Sequence, residues 1–253
     1  MTVAEIQIFG SEVYLIPTSA PKGKLELSGA AENACGRTAY LLPSLCCDAG
    51  VLITDTRNGE LTLPIYLRCA IAAAVFLRRI RGLPLDEIDV ETPVGHFTVG
   101  FDRSTLYPRI KAQKCKLLFS NYRETAQNVE VISNIYSTEI GRIKLIRCRN
   151  TSTFSCDALR QLSHGEQDTD LAATVAYSHD CDRATLTSVS ALFSDADLLP
   201  YVAGALGTEL SDKCGETKLE VSLRGEAVNI ERKDGYTAIF CPDIRYSLFE
   251  SSP

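Results

Sequence analysis

The stretch that decides the fold is LPIYLRCAIAAAVFL, residues 63–77. Its Leu-Pro pair predicts the first turn of a helix, because the missing N–H of Pro64 costs little there. A second Leu-Pro pair opens LPYVAGALG, residues 199–207. Each segment is followed by two short strand-like runs joined at a glycine, Gly95 in the first half and Gly225 in the second. Parts that recur in the same order predict two copies of one α+β unit.

Both helical segments are apolar on nearly every face, at residues 70–77 and 202–206. A helix of this kind is enclosed by other structure rather than laid on a surface. We therefore predict an α+β fold of two pseudo-symmetric lobes, each a strongly curved antiparallel or mixed sheet around one central helix. The predicted lobes are residues 1–112 and 113–253, and packing of the last residues on the first lobe is left open. A protein built from two copies tends to place its site in the cleft between them.

Two further features are predicted in the first half. Residues 30–42 are compatible with a helix that ends at Pro43. Asn58-Gly59 lies between two apolar runs, residues 51–54 and 61–63. This dipeptide predicts a hairpin, because both turn residues tolerate positive φ.

Charge and hydropathy exclude several classes of partner. The 253 residues carry 26 basic and 32 acidic side chains, a net charge of −6. No basic field is present to attract nucleic acid or an anionic membrane surface, so we expect neither. The longest apolar stretch, residues 69–77, is far too short to span a bilayer. The N-terminus has no basic segment followed by an apolar run, and we expect a cytoplasmic protein.

Ten cysteines and three scattered histidines form no zinc-ligand spacing. We therefore predict reduced thiols and no metal site. The vicinal pair Cys46-Cys47 next to Asp48 is compatible with a redox or metal role, but we favour buried thiols.

The repeated order of strand, Asn-Gly-Glu turn, helix and strand-Gly-strand resembles the superfamily of diaminopimelate epimerase and the phenazine-biosynthesis isomerases. Residues 58–69 look like the first motif of these proteins, and residues 195–207 are similar to the second, most closely at Ala-Gly-Ala-Leu-Gly, 203–207. The resemblance implies proton transfer at a carbon by two groups on opposite sides of a cleft, without a cofactor. Both epimerase cysteines are missing, because their places fall at about Leu63 and at Asp195 or Ala196. A two-cysteine epimerase is therefore not expected.

Carboxylates offer a different catalytic pair. Glu60 stands where the phenazine-type isomerases have the glutamate of their first motif, and Asp195 and Asp197 flank the place of the second-motif acid. These three are our candidate catalytic residues. For Glu60 the alternative is a solvated hairpin glutamate, and for the two aspartates it is N-capping of the second helix.

Four further residues are candidates for substrate binding: Asn58, Tyr66, Arg68 and Tyr201. Arg68 suits a carboxylate ligand, although a surface salt bridge explains it equally well. Tyr66 and Tyr201 occupy similar places in the two repeats, either as a ligand clamp or as a common core contact.

The leading functional hypothesis is a cofactor-independent isomerase or epimerase acting on a small carboxylate-bearing metabolite. The alternative is a catalytically inactive protein of the same fold that binds a ligand or partner. The sequence does not decide whether the protein is an enzyme, and it does not identify the substrate. The oligomeric state also stays open, with a homodimer as one alternative.

Overall fold

The computed structural model describes residues 2–18, 37–53, 63–112, 115–126, 129–164, 170–180, 182–214, 218–233, 236–242 and 244–250. The chain divides into two compact units. The first is Met1–Ile110 together with Cys241–Pro253, and the second is Lys111–Phe240. The boundary between lobes predicted from the sequence lies between residues 112 and 113.

In its described residues, the first unit combines a mixed sheet with a helix. The helix is α1, Leu63–Val75, continued by a single π-helical turn over Phe76–Ile80. The strands follow the order β16-β1-β2-β3-β4-β5-β6-β7 in the sheet. Their bounds are β1 Thr2–Ile8, β2 Ser11–Pro17, β3 Arg37–Leu42, β4 Ala49–Ile53, β5 Glu87–Thr92, β6 Gly95–Phe101, β7 Pro108–Ala112 and β16 Arg245–Glu250.

The second unit has a sheet of the order β15-β14-β13-β12-β11-β10-β9-β8 and two α-helices. The helices are α2, Cys156–His164, and α3, Asp195–Cys214. A 3-10 turn over Thr151–Thr153 precedes α2. The strand bounds are β8 Lys116–Ala126, β9 Val129–Thr138, β10 Gly141–Arg147, β11 Leu171–Asp180, β12 Arg183–Val189, β13 Lys218–Leu223, β14 Glu226–Lys233 and β15 Tyr236–Phe240.

The same succession of strand pairings occurs in both units. In the first, β1 and β2 form a hairpin, β3 joins β2 in parallel, β4 returns antiparallel, and β5 joins β4 in parallel after α1. In the second, β9 to β13 repeat these steps, with α3 between β12 and β13. The predicted mixed sheets are thus confirmed.

Each long helix is enclosed by the sheet of its own unit. All residues of α1 from Pro64 to Val75 are buried, and the helix packs against β1, β2, β4, β5 and β6. Helix α3 packs against strands β9, β10, β13, β14 and β15, and its apolar residues Leu198, Leu199, Val202, Ala203, Ala205, Leu206 and Leu210 are buried. Each helix therefore lacks a polar face because a sheet encloses it, as predicted. Among the described helices, none combines the length and hydropathy needed to cross a membrane.

The helix predicted for residues 30–42 is wrong over its described part. Residues 37–42 form β3, which lies between β2 and β4. Backbone pairing with strands on both sides provides hydrogen-bond partners for the strand N–H and C=O groups, and Thr38, Tyr40 and Leu41 suit a strand. Residues 30–36 lie outside the described residues. Most of the predicted Asn58-Gly59 hairpin also lies outside the described residues. Its last residue, Leu63, begins α1 instead of ending a strand.

Two buried charged groups tie helices to the second sheet. Lys144 on β10 donates from Nζ to both carboxylate oxygens of Glu124 on β8, at 2.9 Å each, and to the Leu162 carbonyl of α2 at 3.0 Å. Glu209 on α3 accepts hydrogen bonds from Asn134 Nδ2 at 3.0 and 2.8 Å and from the hydroxyls of Tyr136 and Tyr177. Burial, followed by the Glu209 charge, raises the pKa of Tyr177. Buried charges with several hydrogen bonds fix the position of an element as well as its stability.

Gly207 lets α3 lie close to β15. A Cβ atom at this position would lie 2.9 Å from both Cγ2 and Oγ1 of Thr237, a buried residue. We expect Gly207→Ala to lower the free energy of unfolding by about 1 to 2 kcal/mol, because overpacking outweighs the gain in helix propensity. Denaturant unfolding measures the change. The same substitution in a Thr237→Ala background is expected to cost much less, and an equal cost in both backgrounds would contradict the close contact.

Candidate active site

The first turns of α1 place two predicted ligand residues inside the first unit. Arg68 and Tyr66 are both buried, and burial raises the pKa of Tyr66. The guanidinium of arginine matches a carboxylate better than other cations, because it can offer two parallel N–H donors. Arg68 therefore remains a candidate for a carboxylate ligand, and the surface salt bridge weighed against it does not describe a buried side chain. Asn58 and Glu60 lie outside the described residues.

The second predicted acid, Asp197, lies in the first turn of α3. Ser194 precedes the helix, and its Oγ accepts a hydrogen bond from the Asp197 N–H at 3.3 Å and donates one to Asp197 Oδ2 at 2.6 Å. This arrangement of a serine with an acid three residues later is a variant of the capping box. Asp197 is buried as well. Capping explains its position, and it also holds a carboxylate at the positive end of the α3 dipole.

Asp195 is held by two side chains of the second unit. Its Oδ1 accepts a hydrogen bond from Ser188 Oγ at 2.6 Å, and its Oδ2 lies 3.1 Å from Nε of Arg224. Ser188 is on β12, and Arg224 is in the turn between β13 and β14. These contacts give Asp195 a structural role at the start of α3. A catalytic role for it is still a prediction.

A cluster of titratable groups lies beside the first half of α3, formed by Glu139, Tyr201, Asp197 and Cys115. Burial raises the pKa of Tyr201, and the carboxylates of Glu139 and Asp197 raise it further. Loss of hydration also raises the pKa of Glu139, which is in the turn between β9 and β10. Cys115 lies against Gly204, where a Cβ atom would be 3.7 Å from its Sγ. We call this set the Glu139 cluster.

In the Glu139 cluster, the carboxyl group of Glu139 suits proton transfer and the thiol of Cys115 does not. Burial, with the Glu139 charge second, raises the pKa of Cys115 to about 11. Cys115 is therefore a protonated thiol at neutral pH and does not supply the thiolate base of a two-cysteine epimerase. Glu139 is the opposite case, because a carboxyl group with a raised pKa can exchange a proton closer to neutral pH. Such a shift is a physical sign of a functional site.

Glu139 also borders an open groove of about 520 Å³ in the second unit. This volume suits a small metabolite. Arg142 and Asp170 both line this groove, and a guanidinium such as that of Arg142 is the kind of cation that binds a carboxylate. Its main lining residues are Ser137, Thr138, Glu139, Arg142, Asp170 and Leu192.

The sequence did not single out Glu139, Arg142 or Cys115. Their only signal is the Glu139–Gly141 turn between two strand-like runs, where a solvated glutamate is the ordinary interpretation. The interpretation of Cys46 and Cys47 as buried thiols is wrong, because Cys46 is exposed and Cys47 is half-buried. Both lie in the loop that connects β3 and β4 at a unit surface, so no core packs over them.

Comparison with known proteins finds the fold but no close relative in sequence. No protein-family model and no curated protein matches the chain. The structure is similar to a phenazine biosynthesis protein of the PhzF family from Bacillus anthracis, with a TM-score of 0.61 and 11% identity over 100% of this chain and 99% of the other. A PhzF-family protein from Enterococcus faecalis gives 0.58 and 14%, covering 99% and 98%.

A third solved structure is a hydroxyproline epimerase from Agrobacterium vitis with bound trans-4-hydroxy-L-proline. Its TM-score is 0.57 at 12% identity, with 99% of this chain and 93% of the other covered. At such identities the likeness concerns the arrangement of the chain and not its chemistry. The two enclosed helices, the mixed sheets and these matches together show that the chain has the diaminopimelate epimerase-like α+β fold.

Proposed function

We propose that this protein is a cofactor-independent isomerase of the epimerase type, acting on a small carboxylate-bearing metabolite by proton transfer. One observation carries the proposal: the carboxyl group of Glu139, with a raised pKa, acts electrostatically on Tyr201 and borders a groove of metabolite size. Proton abstraction next to a carboxylate requires a base of this kind and a cation that holds the substrate. The likeness in fold to a hydroxyproline epimerase supports the reaction class.

The proposed roles divide between binding and proton transfer. Arg142 or Arg68 binds the substrate carboxylate, since a guanidinium can do so with two hydrogen bonds. One carboxyl group removes the proton from the substrate carbon, and a second acid returns a proton to the opposite face or to a neighbouring atom. We assign one of these tasks to Glu60 and the other either to Glu139, in the turn between β9 and β10, or to Asp197, at the start of α3. Tyr201 and Tyr66 are proposed to contact the substrate, as is Asn58.

A second function is favoured by a different observation. Both aspartates at the start of α3 already have structural partners, Asp195 with Ser188 and Arg224 and Asp197 with Ser194. Carboxylates occupied in this way fit a catalytically inactive protein that retains a ligand groove. This alternative predicts binding of a small carboxylate without turnover.

Exchange of a carbon-bound proton with solvent distinguishes the two functions. We expect the protein, incubated in deuterated water with a panel of amino and 2-hydroxy acids, to introduce deuterium at the α-carbon of at least one compound, as read by mass spectrometry. Glu139→Gln is expected to slow that exchange roughly 100-fold, the lower range for loss of a general acid or base. Glu130→Gln, which alters an exposed acid on β9, serves as the matched control.

The outcomes separate clearly. Exchange that is unaffected by Glu139→Gln would remove Glu139 from the mechanism and leave the reaction class intact. Saturable binding of an acid with no exchange in the wild type would support the inactive alternative. Neither binding nor exchange across the panel would count against both functions.

A further inference from the structure

Two cysteines and a histidine meet on the surface of the first unit. Cys46 and Cys47 lie in the loop between β3 and β4, and His96 is near the start of β6. Their Sγ and imidazole nitrogen atoms lie within 4.8 Å of one another. Cys46 is exposed, so the group is open to solvent.

The spacing of these atoms is close to that of ligands around one metal ion. Cys46 Sγ and Cys47 Sγ are 4.0 Å apart, and Cys47 Sγ lies 3.7 Å from Nδ1 of His96. In a tetrahedral zinc centre, bond lengths of about 2.3 Å to sulfur and about 2.05 Å to nitrogen separate two sulfurs by about 3.8 Å, and a sulfur from a nitrogen by about 3.6 Å. The two separations that involve Cys47 are thus within a few tenths of an ångström of that geometry, and the third, between Cys46 and His96, is at most 4.8 Å.

The loop that carries both cysteines is held in place by its own hydrogen bonds. Ser44 Oγ accepts from the N–H groups of Cys46 and Cys47, at 3.2 and 3.1 Å. The same hydroxyl donates to Glu91 Oε2 on β5 at 2.6 Å. One serine therefore orients two neighbouring thiols and attaches them to the sheet.

A second clamp fixes the loop against the hairpin that carries His96. The Asp48 N–H donates to the Asp89 carbonyl at 3.0 Å, and the Asp89 N–H donates to Asp48 Oδ2 at 2.8 Å. Glu91 is the cross-strand partner of His96 in the β5–β6 pair, which puts their side chains on one face. The three possible ligands are thus positioned by backbone pairing rather than by chance contact at a surface.

The surrounding charge favours a cation. Glu91 and Asp89 are both close enough to Cys47 to act on its thiol electrostatically, and Glu91 also interacts with Cys46 and His96. A carboxylate next to ligating groups is the usual outer-shell partner of a metal site. Thiolates and an imidazole together select zinc and other soft or borderline ions over magnesium or calcium.

We propose that Cys46, Cys47 and His96 form a binding site for one zinc-class divalent cation. The two thiols lose their protons to solvent when the ion binds, and neutral His96 contributes one ring nitrogen. Three protein ligands leave a fourth position for water or an exchangeable ligand, with Glu91 beside it. This site is independent of the proposed isomerase function and lies in the other unit.

Cobalt(II) is the probe that tests the proposal. We expect reduced full-length protein without a polyhistidine tag, titrated with Co²⁺, to bind one equivalent with a sulfur-to-metal charge-transfer band in the near ultraviolet. Adding Zn²⁺ should abolish the band by displacement. Cys46→Ser/Cys47→Ser should abolish it outright, and His96→Gln should weaken binding while leaving the sulfur band.

Two further variants make the result specific. Cys156→Ser removes a partly exposed thiol elsewhere and should leave the titration unchanged. Glu91→Gln should weaken affinity about 10- to 100-fold without loss of the band, as an outer-shell residue does. The proposal is overturned if the wild type gives no thiolate band, or if the double serine variant, folded by circular dichroism, keeps it.

Discussion

Replacing Lys144 by methionine is expected to lower the free energy of unfolding by about 3 to 5 kcal/mol, the cost of breaking a buried ion pair. The Lys144 side chain is 0% exposed and its partner Glu124 only 12%, so the carboxylate left behind cannot recover its full hydration. The substitution also leaves the Leu162 carbonyl of α2 without its Lys144 donor. Urea unfolding with circular dichroism measures the change.

An exposed pair on the same sheet is the matched control. Arg123 Nη1 and Glu130 Oε1 are 3.0 Å apart, but their side chains are 71% and 60% exposed. Arg123→Met should therefore cost less than about 1 kcal/mol. The double variant Lys144→Met/Glu124→Leu should regain most of the lost stability, because both charges are gone. A double variant as unstable as Lys144→Met alone would show that packing, and not the unpaired charge, causes the loss.

Substituting Glu60 by glutamine is expected to slow α-deuterium exchange by about 10² to 10⁴, the range for loss of a general base. The Glu→Gln substitution is nearly isosteric and falls next to an Asn-Gly dipeptide, so the change in unfolding free energy should stay within about 0.5 kcal/mol. The experiment compares the initial rate of deuterium uptake with the stability of the same sample. The matched control is Glu12→Gln, which alters an acid of the β1–β2 hairpin.

Full exchange by Glu60→Gln would eliminate the proposed role and return the chemistry to Glu139, Asp195 or Asp197. A large loss of stability would instead assign Glu60 a structural task. In a wild type without exchange, a ligand-binding measurement on the same variant shows whether Glu60 contributes to binding in an inactive protein.

Much of the fold could be predicted, because the repeated apolar segments identified the enclosed helices. The apolar run from Ala70 to Val75 has no polar face, so it must be buried on all sides. The helix predicted at residues 30–42 failed over β3 for a nonlocal reason. Local sequence there allows either state, and pairing with β2 and β4 decides between them.

The candidate site was harder to predict, because its chemistry depends on distant packing. Glu139 looks like an ordinary turn glutamate until α3 places Tyr201 beside it. The capping interpretation of Asp197 was easier to reach from the sequence, because it depends on the local start of one helix. Its partner Ser194 was identified only by the structure. Cys47 and His96 are separated by 49 positions. The pairing of β4 with β5 and the clamp between Asp48 and Asp89 bring their segments together. Spacing rules for metal sites do not detect ligands that a sheet assembles.

Strand β16 gives the protein an unusual order of completion during synthesis. It pairs with β1 at the edge of the first unit's sheet, yet the whole second unit separates the two in the chain. At about 5 to 20 residues per second, the ribosome delivers this partner several seconds or more after the rest of the unit has emerged. Until then the outer edge of β1 has unpaired N–H and C=O groups, a template for association with other chains. The unit made first is thus the last to be finished, and chaperone demand should concentrate on its N-terminal strand.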